Sequence, residues 1–335
     1  MHAGRQYSLR EFLNWTRSEI YKLFLIAAIP TALYQFLDWH WLAIPWVPIA
    51  MIGTAAAFIA GFRNTPTYSR VWEARQIYGS IVNQSRAWGM MVKDFVKDET
   101  AHQSLIYRHI AWLTALRFQL RETRIWENTQ KRYNVEYKRF YVVPEWQSKL
   151  EDELKPFLTN EETDFILQKK NRASHLIKLQ STHLKTLHEN GQLDTLYHIE
   201  MENMLVNLYE QQGKCERIKN FPYPRQFATI NSLFIKLFCI LLPFGMLKDF
   251  DKLNETTTGF MQGYMVWLVV PFSVLISWVY TSLEQVGEST ENPFEGSANE
   301  VPITALSRTI EIDLREMLDE TELPAPVTPV NNILM

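Results

Sequence analysis

The sequence predicts an all-α integral membrane protein with four transmembrane helices and a helical cytosolic region. Four apolar segments stand out from a chain of 335 residues, and the last of them holds 24 residues without a formal charge. Between the second and third segments, apolar side chains recur at the three- and four-residue spacing of a helix. No stretch alternates apolar and polar residues over a length that would suggest a sheet. Composition agrees, since 47% hydrophobic residues accompany a slightly negative mean hydropathy.

The first two apolar segments predict a transmembrane hairpin, residues 23–62, that follows an amphipathic N-terminal segment, residues 1–22. The first segment, Leu23 to Leu37, is only 15 residues long and contains Pro30, whereas the second runs from about Ile44 to Phe62. A span needs roughly 20 apolar residues. The second segment therefore passes comfortably, and the first needs help from its flanks.

The other two apolar segments predict a second hairpin, residues 226–284. The third segment runs from Phe227 to Leu247 and is interrupted by Lys236, and the fourth runs from Phe260 to Leu283. A lysine about nine residues inside an apolar segment needs a polar outlet. Lys236 could snorkel toward the membrane surface or face a water-filled cavity, and snorkelling is the less natural of the two.

The intervening residues 63–225 predict a helical region outside the membrane. Apolar periodicity predicts helices over Ile81 to Phe95 and over Ile106 to Leu120. A third helix is predicted to be capped by Asp194 and to stop near Gly213.

The last part of the chain divides into two pieces by composition. Residues 285–323 predict a cytosolic C-terminal segment that packs on the helical region. Residues 324–335 are rich in Pro and Asn, and this composition predicts a disordered tail.

Charge asymmetry predicts the orientation of the spans. Lys and Arg residues are frequent before the first span, after the second and before the third. The loop from Asp38 to Ala43 has Trp39 and Trp41 but no Lys or Arg. The positive-inside rule therefore places both termini in the cytoplasm.

Several function classes lack any supporting signal. A net charge of -3 and a pI near 6.3 give no reason to expect nucleic-acid binding. The chain has no phosphate-binding glycine loop, no zinc-protease motif and no hydrolase nucleophile elbow, so no enzyme is expected. The histidines are scattered, and Cys215 and Cys239 are far apart. We therefore expect no metal site, no cofactor and no structural disulfide.

One face of the second apolar segment combines residues that could line a pore. Thr54, Phe58 and Phe62 recur every four residues, with Met51 nearby. These residues could simply serve helix packing, which the small residues around Gly53 would also favour. Alternatively, a ring of such helices would form an apolar constriction that gates by dewetting.

Several ordered motifs make the chain resemble the bestrophin family, and specifically its bacterial branch. The resemblance extends from the N-terminus to about residue 320. The motifs are Gly61-Phe62-Arg63-Asn64 with Tyr68, Arg70, Glu73, Ala74 and Arg75; Gly79-Ser80-Ile81-Val82-Asn83 with Ser85-Arg86; Cys215-Glu216-Arg217-Ile218; Glu291-Asn292-Pro293-Phe294; and Glu311-Ile312-Asp313.

The resemblance implies a homopentameric ion channel in a bacterial inner membrane, passing small monovalent ions such as chloride or sodium. Five copies of the second membrane helix would surround an apolar neck at Thr54, Phe58 and Phe62. A cytosolic vestibule would end in a second constriction, for which Leu196 is the candidate and Leu193 the rival. The partners of the protein would be four further copies of the same chain, the lipid bilayer and the permeant ions. The residues implied at the junction of membrane and vestibule are Arg63, Asn64, Arg70, Glu73 and Arg75.

Three departures from the family pattern limit what the resemblance implies. Thr54 replaces a residue that is usually large and apolar, which would make the outer end of the neck wetter. Ala55 stands where animal members have a proline that breaks the helix, so anion preference does not carry over. The segment from Phe294 to Glu300 has too few acidic residues to supply the six or more oxygen ligands that calcium requires. Calcium activation is therefore not expected.

A second hypothesis belongs to another functional class. The charged helices of residues 95–215 would also suit a membrane-anchored scaffold that binds a partner through its cytosolic region.

Overall fold

A computed structural model describes residues 1–335 and consists of helices joined by short turns. Its only strand-like contacts are three isolated bridges. The all-helical prediction is therefore confirmed. The eleven α-helices are α1 (Leu9–Phe36), α2 (Trp46–Phe95), α3 (Glu99–Arg121), α4 (Arg132–Tyr137), α5 (Leu150–Leu154), α6 (Asn160–Leu167), α7 (Arg172–Glu189), α8 (Thr195–Asn220), α9 (Arg225–Asp251), α10 (Val269–Ser289) and α11 (Ile303–Glu316).

Helix α1 joins the amphipathic N-terminal segment to the first apolar segment without a break. It begins with a capping box, in which Ser8 and Glu11 satisfy each other's backbone amides. Pro30 lies inside the helix. The amphipathic half is held to other elements, because Trp278 Nε1 donates a hydrogen bond to Thr16 Oγ1 at 2.9 Å. The composition changes from amphipathic to apolar near residue 22, but the backbone remains helical across this boundary.

Helix α2 is the longest element and carries the chain from the apolar region into the charged one. Its 50 residues correspond to about 75 Å. Pro66 lies inside the helix without ending it. Small and apolar side chains at three- and four-residue spacing form a buried stripe along its whole length; in the first half these are Ile49, Gly53, Ala56 and Ala60.

The membrane bundle is built from α2, α9, α10 and the second half of α1. Three of these helices, in α2, α9 and α10, are long and apolar enough to cross a membrane. Helix α1 does not meet that condition, so the fourth span remains a prediction. The start of the last span also differs from the sequence prediction. Gly259 and Gly263 adopt positive φ in turns, and the helix begins only at Val269.

The helices outside the membrane bundle share one core with the second half of α2. Trp88 and Trp112 lie fully buried in it, and Trp112 Nε1 donates to Gln212 Oε1 at 2.9 Å. Helix α8 begins where the sequence predicted but continues past Gly213 to Asn220, since a single glycine is tolerated inside a well-packed helix.

The C-terminal residues pack against α11 and residues 137–143. Ile333 and Met335 are buried, Ala305 N donates to Met335 O at 2.7 Å, and Asn331 Nδ2 donates to Phe140 O at 2.7 Å. This arrangement differs from the disorder expected from composition. Two apolar anchors and paired backbone groups outweigh the local preference of Pro and Asn for irregular chain.

We predict that Gly53→Ala destabilises the membrane bundle. A Cβ at this position would lie 2.5 Å from Cε2 of the buried Phe238 ring on α9. Overpacking of this kind costs typically about 1–3 kcal/mol, which a thermal unfolding curve of the detergent-solubilised protein would detect. Gly79→Ala on the same helix is the control, because no atom lies within 4 Å of its Cβ position. Equal unfolding temperatures for the two variants would contradict the packing described.

Candidate functional site

The three residues predicted for a pore neck lie on one open face of α2. Thr54, Phe58 and Phe62 are all exposed in the single chain, with Phe58 67% and Phe62 64% accessible. The two rings are 4.5 Å apart between centroids, in an edge-on arrangement. The buried stripe of α2 faces the other way, against α9 and α10. Thus the protomer itself leaves this apolar face without a partner.

The hydroxyl group of Thr54 presents little polarity to the open face of α2. Its Oγ1 donates a hydrogen bond to the Ala50 carbonyl oxygen one turn earlier, at 2.9 Å. The hydroxyl proton is therefore used within the helix. Thr54 borders an apolar groove that also includes Val47, Met51 and Phe58. This groove extends the apolar face by two turns toward the start of α2.

The two candidates for the cytosolic aperture lie in opposite surroundings. Leu196 is in the first turn of α8 and is 76% exposed, whereas Leu193 is 1% exposed and belongs to the core that the helices outside the membrane bundle share with α2. Asp194 occupies the N-cap position, but its carboxylate accepts from Lys97 Nζ at 3.0 Å instead of from a helix amide. Of the two leucines, only Leu196 presents its side chain to an open space.

Arg63 forms a buried ion pair where α2 leaves the membrane bundle. Its Nη2 donates to Glu291 Oε2 at 3.1 Å and lies 3.9 Å from Glu288 Oε1. Both Arg63 and Glu291 are buried. Arg225 Nη1, at the start of α9, donates to the other oxygen of Glu291 at 3.0 Å. One carboxylate therefore connects α2 and α9 to the segment after α10.

The guanidinium group of Arg70 caps the C-terminal end of α8. Nη2 donates to the carbonyl oxygens of Ile218 at 2.9 Å and Phe221 at 2.8 Å, and Nε donates to the Glu291 carbonyl at 3.0 Å. The last carbonyls of a helix have no intrahelical donor. Arg70 supplies one and fixes α8 against α2.

The other predicted junction residues take different roles. Asn64 Nδ2 donates to the Leu283 carbonyl at 3.3 Å, so it contacts α10 directly. Glu73 pairs with Arg217 of α8 at the surface. Arg75 is exposed and forms no ion pair. The structure thus brings Arg63 and Arg70 to the segment after α10 and Asn64 to α10 itself, while Glu73 and Arg75 lie farther along the helix.

Glu291 is the central residue of this junction, and sequence reasoning missed its role. It was noted only as part of a motif. The signal that could have found it is that Arg63 and Arg225 have no acidic residue close to them in sequence. A buried guanidinium group requires a carboxylate or several carbonyls, so a distant acid had to supply the partner.

The acids that follow Glu291 are occupied by protein donors. Glu295 Oε2 accepts from the Asn128 amide at 2.9 Å, and burial together with the nearby Glu300 carboxylate raises the pKa of Glu295. Glu300 accepts from Arg121 Nη1 at 2.5 Å and from the Gly296 amide at 2.9 Å. Both oxygens of Glu300 therefore have donors within the chain, whereas Oε1 of the buried Glu295 has none.

The long α2, the open apolar face and the buried junction define an α-helical membrane protein of the bestrophin fold. A structure of a bacterial bestrophin homologue from Klebsiella pneumoniae has the same fold, with a TM-score of 0.75 and 24% identity over 91% of this chain and 99% of that one. The family model described as "Bacterial/Fungal Bestrophin protein" matches residues 15–316. The chain belongs to that family, which confirms the resemblance noted from its motifs.

Curated relatives cover nearly the whole chain. A voltage-dependent anion channel-forming protein of Escherichia coli is 28% identical over 97% of this chain and 96% of its own length. A second, from Mesorhizobium japonicum, is 23% identical over 82% of this chain and 75% of its own. The family is one of channel-forming proteins, so the chain is not an enzyme.

We predict that Glu291→Gln destabilises the junction strongly. Removing this charge leaves the buried Arg63 with only the more distant Glu288, and breaking a buried pair costs about 3–5 kcal/mol. Thermal unfolding and the size-exclusion profile of the purified protein would report the loss. Glu73→Gln is the matched control, because its pair with Arg217 is exposed and worth less than about 1 kcal/mol. Similar losses in the two variants would show that Glu291 has no special role.

Proposed function

We propose that this protein is an ion channel that passes small monovalent ions passively across the membrane as a homopentamer. In this proposal, α2 from each of five copies lines the pore, and Thr54, Phe58 and Phe62 form an apolar neck. The observation that carries the proposal is the face of α2 that has no partner within the protomer. A closed ring of identical helices covers such a face symmetrically, and five is the number of copies that the resemblance to the family implies.

The exposed face does not end with the membrane. Beyond Phe62, Tyr68 and Trp72 on the same helix are exposed and stack at 6.4 Å. Lipid would cover only the part of α2 within the bilayer, whereas neighbouring copies could cover both parts. This continuity favours assembly over simple contact with lipid.

The cytosolic helices would then form a vestibule, and Leu196 would line its narrow end. Leu196 lies at the start of α8, whose far end is fixed to α2 through Arg70. The position of the aperture would thus follow from the same junction that orients the neck. We also propose four spans in a bacterial inner membrane, with both termini cytoplasmic.

Chloride is the permeant ion to test first. The curated relatives are named as anion channel-forming proteins, and an apolar neck by itself distinguishes poorly between ions of either sign. Charges in the vestibule would then decide the preference. A cation such as sodium is the other outcome.

Reconstitution of the purified protein into a planar bilayer tests the proposal. We expect current, and the reversal potential in a KCl gradient gives the sign of the permeant ion. The competing function is a membrane-anchored scaffold that binds a partner through its helical cytosolic region. Purified pentamer that gives no current under any gradient would favour the scaffold and exclude the channel.

We predict that replacing both Phe58 and Phe62 by Ala widens the neck and raises the single-channel conductance. Each substitution removes an exposed ring from the proposed neck, which would lower the cost of wetting it. Phe272→Ala is the control, because Phe272 is exposed on α10 and not on α2. If the neck variant conducted like the original while Leu196→Ala altered the current, the neck would be wrongly assigned.

A further inference from the structure

A polar cleft of about 300 Å³ lies between α1, α9 and α10 near their cytosolic ends. Lys22 of α1 lies at its rim, and Lys236 of α9 and Glu284 and Gln285 of α10 line it. Only one of its twelve lining residues is hydrophobic. So polar a cleft within a membrane bundle requires an occupant or water.

Most charges around the cleft already have partners. Lys22 Nζ lies 2.7 Å from Glu19 Oε1, Lys131 pairs with Glu288, and Arg132 Nε lies 3.0 Å from Glu136 Oε1. Lys236 and Glu284 are the lining residues that remain without an ion-pair partner. The cleft therefore places a positive and a negative group near each other without a direct ion pair, and a ligand that carries both charges would bridge them.

Uncharged hydrogen-bonding groups in the cleft are also unsatisfied. Gln285 is only 5% exposed, and neither its amide nitrogen nor its amide oxygen has a hydrogen-bond partner. Oε1 of Glu284 also lacks one. An unpaired buried polar group destabilises the folded protein, so a ligand that both donates and accepts hydrogen bonds would stabilise it.

The cleft lies at the depth that a lipid headgroup can reach. Lys22 directly precedes the apolar segment of α1, and Glu284 directly follows that of α10. Lys236 is nine residues beyond Phe227, a rise of about 14 Å, and so lies deeper than both. The rim is therefore at the membrane surface, and the inner groups are within the bundle. A molecule anchored in the bilayer could enter from the side.

We propose that this cleft binds a phosphate group joined to a primary amine, as in the aminoethyl phosphate headgroup of a phospholipid. The phosphate would pair with Lys236 and the ammonium with Glu284, and the Gln285 amide would both donate and accept. An anionic headgroup alone would leave Glu284 uncompensated, and a simple cation would do the same to Lys236. A quaternary ammonium has no N–H to donate to the carboxylate or amide.

Native mass spectrometry of the detergent-purified protein tests this site. Phosphatidylethanolamine, phosphatidylcholine and phosphatidylglycerol with matched acyl chains are added separately. We expect about tenfold tighter retention of phosphatidylethanolamine, since only its ammonium group donates charge-assisted hydrogen bonds to Glu284 while its phosphate pairs with Lys236. Equal retention of the three lipids, or preference for phosphatidylglycerol, would overturn the proposal. The readout is binding and not current, so it is independent of channel activity.

Variants locate the binding within the protein. Lys236→Met and Glu284→Gln should each abolish the preference, whereas Lys248→Met at the other end of α9 should keep it. If the charge variants fail to fold, Gln285→Leu removes both unpartnered amide atoms without changing charge, and it should weaken retention. Preference that persists in all folded cleft variants would contradict the site.

The source of the headgroup is a separate arm of the experiment. Soluble O-phosphoethanolamine is added to the same protein, and the shift in unfolding temperature is measured. Protection at the lipid's concentrations would identify a free metabolite as the ligand of the same chemistry. Protection by the lipid alone would identify the bilayer as the source.

Discussion

The buried carboxylate of Glu291 is the interaction on which the rest of this structure depends. Arg63 and Arg225 approach it from two membrane helices, and Arg70 donates to its backbone carbonyl. A buried charge is tolerated only when it is paired and hydrogen-bonded. These groups therefore determine how α2, α9 and the segment after α10 meet at the membrane surface.

That junction connects the proposed neck on α2 to the proposed aperture on α8. Helix α2 is continuous for 50 residues, so it connects the membrane bundle directly to the helices that follow it. Arg70 attaches the end of α8 to the same helix, and Leu196 lies at the other end of α8. In the proposed channel, the neck and the aperture would thus be held by one rigid frame.

Periodicity and charge predicted much of the architecture, and the failures have physical causes. Thr54, Phe58 and Phe62 share an exposed face because a period of 3.6 residues depends on the sequence alone. The sequence did not reveal that Glu291 receives two arginines, since those partners come from positions 66 and 228 residues away. The packing of Ile333 and Met335 was also missed, because their surroundings come from distant parts of the chain.

By itself, the sequence determined the helical class, the apolar segments, the pore-like face of α2 and the family, all of which depend on local spacing or on ordered motifs. Tertiary structure alone decided that Leu193 is buried while Leu196 is exposed, and that Lys236 and Glu284 line a common cleft. The reason is that burial and charge pairing depend on which helices pack together. That choice arises from contacts between residues far apart in the chain.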